Sequence, residues 1–241
     1  MHSDLQDLRS PSARAPGLIV PIGGQDTPLS LRLRQGTRQA HRNIERMALV
    51  RGMLRGVLRQ ATYRRMLIDL YPVYSALEWG LSHNAHHPAV ASIFEPRLWR
   101  GTAIAADLTF LDLRMGCDRG WQHTPPSAAA QRYAAHLTHL ALTQPALLLG
   151  HAYTRFLGDL SGGQILRRII ATTLRLDQRG GLAFYTFDQI ADVAQFRDQF
   201  RARLDRAPLS PTQADAVVAQ AIDSFAHSAA LFAALATDPR D

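Results

Sequence analysis

Helical spacing of the apolar residues constrains the fold of this chain more than any other feature of its sequence. From about residue 28 onward, apolar residues recur every three or four positions, and no segment shows the sustained alternation of a half-buried strand. We find no internal repeat. At 241 residues, the chain is long enough to bury one sizeable core. The pattern therefore predicts an all-α, single-domain bundle of several helices.

Capping, breaking and turn residues predict where the helices begin and end. Residues 1–26 are rich in Ser, Pro, Gly and Asp, so we expect a flexible leader there, a helical domain over 27–236 and a polar tail over 237–241. We expect Thr27 to cap the first helix and Asp188 to cap a later one. The helices are expected at about residues 28–49, 61–82 with a kink at Pro72, 127–143, 145–174, 188–206 and 210–235, with short helices and loops over 89–126 and a turn at Gly180 and Gly181.

The charge of the chain favours small acidic ligands over nucleic acid. The formal net charge is +7, and every residue counted as Lys or Arg is an arginine. These arginines are dispersed, so we expect anionic small molecules or acidic proteins as partners and no nucleic acid. The single cysteine, Cys117, excludes an intramolecular disulfide and fits a cytoplasmic protein. No apolar run approaches the ~20 residues of a membrane helix, so we expect no membrane anchor.

Three glycines interrupt a helical pattern between residues 147 and 166. Gly158, Gly162 and Gly163 each cost about 1 kcal/mol relative to alanine in a helix interior, so a loop joining two helices is one interpretation. The other is a kinked helix in which Gly158 and Gly162, four residues apart, present a face without side chains to a flat ligand. Asp159 lies in this bare patch, where a carboxylate needs water or a charged partner. Arg155, one turn earlier, is placed to be that partner.

A stripe of polar residues marks the first helix. Arg34, Arg38, His41 and Glu45 follow one another at spacings that place them on one helix face. A lone histidine is more often structural than a ligand, but Glu45 can accept a hydrogen bond from the second ring nitrogen of His41, as acceptors beside metal-bound histidines do. Arg34 could reach an anionic group of the same ligand. This face suits heme, which carries its iron and its propionates at different points.

A second basic pair, Arg197 and Arg201, lies four residues apart on a later predicted helix. Such pairs most often form a solvated helix face. If the ligand is heme, the two arginines would add cationic partners for its propionates.

Together these motifs resemble those of the heme oxygenase family. The run over residues 147–164, with its core Leu157-Gly158-Asp159-Leu160-Ser161-Gly162-Gly163, is similar to the family's glycine signature, and residues 33–45 are similar to its proximal-histidine helix. Three further blocks, at residues 71–78, 181–187 and 196–203, follow in the family's order. The resemblance covers roughly residues 28–235. It implies a helical bundle in which heme is sandwiched between a proximal helix and a kinked distal helix.

The resemblance implies a role for each matching position. His41 would be the axial ligand of the iron, and Glu45 would accept its hydrogen bond. Asp159 would order the catalytic water, in a network that includes Tyr74 and Arg155. The further residues implied to bind or press on the heme are Gly158, Gly162, Gly163, Arg34, Tyr153, Arg197, Arg201 and Phe225.

The resemblance also implies the reaction and its partners. Heme b would be both cofactor and substrate, O2 would be the co-substrate, and the products would be biliverdin, ferrous iron and carbon monoxide. No flavin, nicotinamide or iron–sulfur motif is present, so electrons would come from an external donor such as a ferredoxin or a flavoprotein reductase. A bilin acceptor would be a further partner. In one departure, Ser228, beside His227, takes a position where the family often has asparagine, which predicts a differently wired outer water network.

Two other functions stay open on the residues alone. A heme carrier or sensor would use His41 and the arginines, but it would not need Asp159 among the glycines. A non-heme di-iron oxygenase on a similar bundle needs several carboxylates and Glu-x-x-His pairs. This chain has three glutamates, and none is followed by histidine at the third position.

Overall fold

The computed structural model describes residues 27–177 and 180–236. Within these ranges the chain forms helices and turns without a β-strand, which confirms the all-α prediction. The predicted leader and the predicted polar tail lie outside the described residues. The α-helices are α1 (Leu29–Glu45), α2 (Ala48–Leu54), α3 (Gln60–His83), α4 (Pro88–Ile93), α5 (Gly101–Met115), α6 (Ala128–Thr143), α7 (Leu148–Thr173), α8 (Val193–Asp205) and α9 (Pro211–Ala236), and 3-10 turns occupy Pro96–Leu98, Trp121–His123, Pro145–Leu147 and Ala183–Tyr185.

The first helix differs from its prediction at both ends. Pro28, and not Thr27, occupies the N-cap position, with an extended backbone (ψ 140°) and no side-chain cap hydrogen bond. α1 ends at Glu45 instead of near residue 49, because Met47 is extended (ψ 143°) and forms the N-cap of α2. His41 therefore lies near the end of α1, one turn before the chain changes direction.

Two later predictions are also wrong. Asp192, and not Asp188, caps α8, and its carboxylate accepts a hydrogen bond of 2.9 Å from a backbone N–H of the first turn. Asp188 lies in a turn before that helix. Residues 89–126 contain the 15-residue helix α5, which Gly116 ends in a left-handed conformation at φ 66°. The prediction of short helices and loops therefore holds for α4 and the two 3-10 turns in this region but is wrong for α5.

α3 lies between α5 and α6 and supplies much of the core. It continues through Pro72 from Gln60 to His83, and a kink at that proline stays a prediction. Gly80 permits a close approach to α6 and α7, since a Cβ there would lie 3.0 Å from the Cβ of Ala141 and 3.2 Å from Cδ1 of Leu148. This packing fixes the position of α3 against α7.

α7 and α9 touch through their backbones. A Cβ built on Gly150 of α7 would lie 2.5 Å from the carbonyl oxygen of Val217 and 2.8 Å from the amide nitrogen of Ala221, both on α9. Backbone atoms of a packed helix cannot move aside as a flexible side chain can. Gly150 therefore sets the distance between the two longest helices among the described residues.

By length and composition, α9 could cross a membrane, which contradicts the expectation that no segment is long and apolar enough. In the structure, α9 packs against α1 and α7 and buries Val217, Ala221 and Leu231 along one side. Ser224 and Ser228 are buried on the same helix. A helix packed in a protein core meets the same criteria of length and composition.

Gly150→Ala should destabilise the protein because its methyl group must separate α7 from α9. Overpacking of this kind costs about 1–3 kcal/mol, or a fall in Tm of roughly 3–10 °C for a domain of this size. Thermal unfolding followed by circular dichroism measures the shift. Gly158→Ala is the matched control, since a Cβ there would meet nothing within 4 Å. Equal destabilisation by both substitutions would contradict the assignment of Gly150 as the contact point.

Candidate functional site

A cleft of about 840 Å³, including its open mouth, lies among α1, α3, α7 and α9. Its size is within the range of small-molecule sites, and its walls are mostly apolar, as such sites usually are. Polar groups enter the lining at only a few points. The lining residues are His41 and Ile44 of α1, Val50 and Met53 of α2, Met66, Leu70 and Tyr74 of α3, Thr154, Arg155, Gly158, Asp159, Gly162, Gly163 and Leu166 of α7, Phe184, Tyr185, and Phe225, Ser228 and Phe232 of α9.

His41 stands in the wall that α1 contributes. Its Nδ1 lies 3.5 Å from Oε1 of Glu45, one helical turn later, as the spacing predicted. Phe225 of α9 packs edge-on against the imidazole, with ring centroids 5.8 Å apart. Both side chains of the pair are more than half exposed. Glu45 therefore lies beside Nδ1 of the imidazole, and Phe225 packs against the ring.

α7 forms the facing wall, and it stays helical through all three glycines. The loop interpretation of this segment is therefore wrong. A Cβ added at Gly158 or at Gly162 would meet nothing within 4 Å, so both positions open onto the cleft. Gly163 differs, because a Cβ there would lie 3.2 Å from the ring of Tyr185. Two glycines thus leave room for a ligand, whereas the third leaves room for an aromatic side chain of the wall.

Asp159 lies between the two open glycines and pairs with Tyr74. The hydroxyl of Tyr74 donates a hydrogen bond of 2.6 Å to Oδ2 of Asp159. Burial raises the pKa of Asp159 to about 6, although Arg155, Tyr74 and Arg100 each act to lower it. Burial and the neighbouring carboxylate raise the pKa of Tyr74 well above its ordinary value, so its hydroxyl stays a donor. The pair places a group that can gain or lose a proton near neutral pH beside the bare helix face.

Arg155 does not form the direct ion pair with Asp159 that the sequence predicted. Its guanidinium donates a hydrogen bond of 2.9 Å to Oγ of Ser228 on α9. It acts on Asp159 through its charge at longer range. Four-residue spacing on a helix permits an ion pair, but the guanidinium of Arg155 binds the buried hydroxyl of Ser228 on another helix instead. Arg155 therefore connects α7 to α9.

Sequence analysis missed the polar residues that extend this connection. The hydroxyl of Ser228 also donates a hydrogen bond of 2.7 Å to the carbonyl oxygen of Ser224. The side-chain Oγ of Ser224 in turn lies 2.7 Å from the hydroxyl of Tyr133. That hydroxyl is 3.0 Å from Nδ1 of His151, whose pKa burial lowers to about 3. Whether Ser228 changes the outer water network stays a prediction. Tyr133 and His151 occupy core positions of α6 and α7, and a polar group at a core position is the one signal that could have identified them.

Asp107 is a second acidic residue that the sequence did not identify as part of the site. Its carboxylate accepts hydrogen bonds of 2.8 Å from the backbone N–H groups of both Ala183 and Phe184. Burial raises the pKa of Asp107 to about 6. The turn that it holds carries Phe184 and Tyr185 into the cleft wall. Asp107 is a positioning residue, and only the tertiary structure brings it to this turn.

The predicted basic residues lie beyond the cleft lining. Burial raises the pKa of Tyr153, while the charges of Arg34 and Arg201 act to lower it. These two arginines therefore lie in the neighbourhood of Tyr153. Arg201 donates to Asp198 at 2.7 Å, so an acidic ligand would compete with that carboxylate. Arg197 reaches from α8 to Oγ of Ser161 on α7 (3.2 Å), and its Nε has no hydrogen-bond partner among the described residues.

Comparison with known proteins identifies the family. A family model described as heme oxygenase matches residues 27–234. The chain belongs to the heme oxygenase family. A heme oxygenase of Pyropia yezoensis is 40% identical over 205 residues, which cover 85% of this chain and 84% of the relative. Membership favours a catalytic function over that of a heme carrier or sensor.

Solved heme oxygenase structures also have the same fold. Heme oxygenase-1 from Synechocystis sp. PCC6803, in complex with heme, matches with a TM-score of 0.81 and 37% identity over 87% of this chain and 92% of that one. The heme oxygenase of Leptospira interrogans matches with a TM-score of 0.81 and 35% identity over 86% of this chain and 100% of that one. The family and the helical fold inferred from the glycine signature and the proximal helix are thus confirmed.

Asp159→Asn should stabilise the heme-free protein at neutral pH but not at acid pH. In the folded protein the pKa of Asp159 is about 6, above the ~3.9 of an unfolded chain. Below about pH 4 the buried carboxyl is protonated, and the stability that this gives the fold is fully present. As the pH rises through 6 the carboxyl becomes charged, and the free energy of unfolding falls by up to about 3 kcal/mol. Urea unfolding of variant and parent at acid and neutral pH measures this cost.

Asp118→Asn, at an exposed aspartate, is the control for that experiment and should show no such dependence on pH. A difference between Asp159→Asn and its parent that stays constant from acid to neutral pH would contradict the raised pKa of Asp159.

Proposed function

We propose that the cleft binds one heme per chain and that the protein opens the bound ring to biliverdin, ferrous iron and carbon monoxide. The reaction uses O2 and electrons from a separate donor such as a ferredoxin or a flavoprotein reductase. One observation carries the proposal: His41 stands in one wall of an apolar cleft, and two glycines that flank Asp159 open onto the same cleft from the facing helix. The heme complex of the Synechocystis relative supports the same ligand.

The residues of the cleft fit heme. The open space at Gly158 and Gly162 leaves room for a flat ring against the backbone of α7. Apolar side chains such as Leu70, Leu166 and Phe232 line much of the remaining surface. When bound, heme supplies both the iron that activates O2 and the ring that is oxidised.

His41 and Glu45 would hold the metal on the proximal side. Glu45 lies 3.5 Å from Nδ1 of His41, so it would favour the neutral tautomer with its proton on Nδ1 and its lone pair on Nε2, the nitrogen that would bind the iron. Phe225 limits rotation of the ring. The pair therefore selects both the tautomer and the orientation of the proximal ligand.

Asp159 would control protons on the distal side. Tyr74 occupies its Oδ2, which leaves Oδ1 as an acceptor for a water molecule above the bare glycine face. A carboxyl whose pKa is about 6 can hold such a water and pass protons near neutral pH, without being a strong acid itself. Arg155, tied to Ser228, would keep the positive charge in place without neutralising the carboxylate by direct contact.

Basic residues beyond the cleft lining would orient the heme. Arg34 and Arg201 lie near Tyr153, and together they would bind the propionates by charge-assisted hydrogen bonds. Arg197, which reaches α7 from α8, would add a further cation. A cytoplasmic location fits the single, unpaired Cys117 and an electron donor from the same compartment.

His41→Ala should remove the side chain that would bind the iron and abolish bilin formation, while the cleft still holds heme. The absorption spectrum of the ferrous–carbonyl complex measures ligation, and the bilin band measures turnover after addition of hemin, a reductant and O2. Added imidazole should restore part of the turnover by filling the vacated position. His86→Ala, at an exposed histidine, is the matched control. A wild-type spectrum with full bilin yield in His41→Ala would overturn the ligand assignment.

Asp159→Ala should bind heme but lower the yield of biliverdin per bound heme, by about 10²-fold if its loss removes general acid–base assistance. Yield per bound heme is the deciding measurement, because total activity also falls when heme affinity falls. If Asp159 is only structural, its variant should lose stability or affinity and keep a normal yield. If the wild-type protein binds heme but forms no bilin, the protein is a heme carrier or sensor.

A further inference from the structure

A second cluster of ligating side chains lies where α6, α7 and α9 meet. His136 of α6, His151 of α7 and Asp223 of α9 each place a potential ligand atom within 4.8 Å of the other two. None of the three lines the heme cleft among the described residues. Three helices thus bring two imidazoles and one carboxylate to a single point.

One distance within this cluster already matches that between two ligands of a small metal ion. Nε2 of His136 is 3.4 Å from Oδ2 of Asp223. Ligand atoms that share a tetrahedral ion at 2.0–2.2 Å lie about 3.4 Å apart. Nε2 of His136 and Nε2 of His151 are both 2.9 Å from Oε1 of Gln220, so the two rings aim at one position. An ion bound between the rings would replace the two hydrogen bonds that this oxygen now accepts, and the proton on each Nε2 would move to Nδ1.

Neighbouring groups already hold the ligands in orientation. Nδ1 of His151 lies 3.0 Å from the hydroxyl of Tyr133, which leaves Nε2 directed at the cluster. Nε2 of His227 lies 3.4 Å from Oδ2 of Asp223, so a further imidazole contacts the same carboxylate oxygen as His136. Bound metals in proteins usually have such partners behind their ligands.

The cluster is also accessible from solvent. His151 is fully buried, but the side chains of His136 and Asp223 are 27% and 41% exposed. An ion can therefore enter from the surface and be held against the buried imidazole. The Asp223 carboxylate supplies the negative charge of the cluster, whereas the charge of Arg155 disfavours a positive charge on His151.

We propose that His136, His151 and Asp223 bind one divalent transition-metal ion of the Zn²⁺ class. Two imidazoles and a carboxylate are a ligand set that Zn²⁺ accepts, and the fourth position goes to Gln220 or to water. The proposal does not depend on heme binding in the cleft.

The test measures metal binding directly. The full chain is prepared without a polyhistidine tag and with His41→Ala, so that the His41–Glu45 pair cannot compete for the ion. Calorimetric titration with Zn²⁺ should give one ion per chain, and Co²⁺ should give the visible absorption of a tetrahedral site. At about a hundredfold excess of Zn²⁺ over Kd, Tm should rise by roughly 5–10 °C.

Substitutions decide where the ion binds. His136→Ala and Asp223→Asn should each weaken binding at least tenfold and remove the rise in Tm. His139→Ala, at an exposed histidine of the same helix, should leave both unchanged. Circular dichroism of each variant without metal verifies that it folds. His136→Gln replaces His136→Ala if that variant fails to fold. Absence of binding at ~100 µM Zn²⁺ before these substitutions, or a loss smaller than tenfold in His136→Ala and Asp223→Asn, would overturn the proposal.

Discussion

The structure depends on a helix that must stay folded with one face bare. Gly158 and Gly162 contribute no side chain to packing, and each costs about 1 kcal/mol relative to alanine. α7 offsets this cost on its other faces, where Phe156 and Leu160 are buried in the core and Gly150 meets the backbone of α9. Helices in proteins draw most of their stability from such packing and little from propensity. The bare face can therefore exist only because the rest of α7 is held tightly.

The same helix carries an acidic group whose burial is unfavourable at neutral pH. Asp159 has a raised pKa although Tyr74 donates to it and two arginines act on it, so desolvation outweighs the favourable contacts. Asp107 has a raised pKa for the same reason, but its two hydrogen bonds to backbone N–H groups hold the turn that carries Tyr185. A fold optimised for stability alone would avoid both carboxyls. Groups whose pKa values are shifted in this way cluster at functional sites, and Asp159 lies in the lining of the cleft.

Local sequence was sufficient for part of this architecture and insufficient for the rest. The His41–Glu45 pair and the helical course of α7 follow from spacing within one helix, and both were predictable. The start of α8 was assigned to the wrong aspartate, since Asp188 and Asp192 are equally good caps until the backbone decides. Partners on other helices, such as Ser228 for Arg155, depend on tertiary packing that no local pattern encodes. Asp107 shows the same limit, because its partners Ala183 and Phe184 lie far along the chain.

α9 contributes side chains to both the cleft and the histidine cluster because these side chains leave the helix in different directions. Successive residues turn by about 100°, so Phe225 and Phe232 face the cleft while Gln220 and Asp223 face the histidine cluster. Ser224 and Ser228 lie between these faces and are buried, and they carry the polar contacts from Arg155 to Tyr133. A rotation of α9 by even part of a turn would misplace both sets. The backbone contact at Gly150 opposes such a rotation. It therefore keeps the α9 side chains of the cleft and of the cluster in their positions.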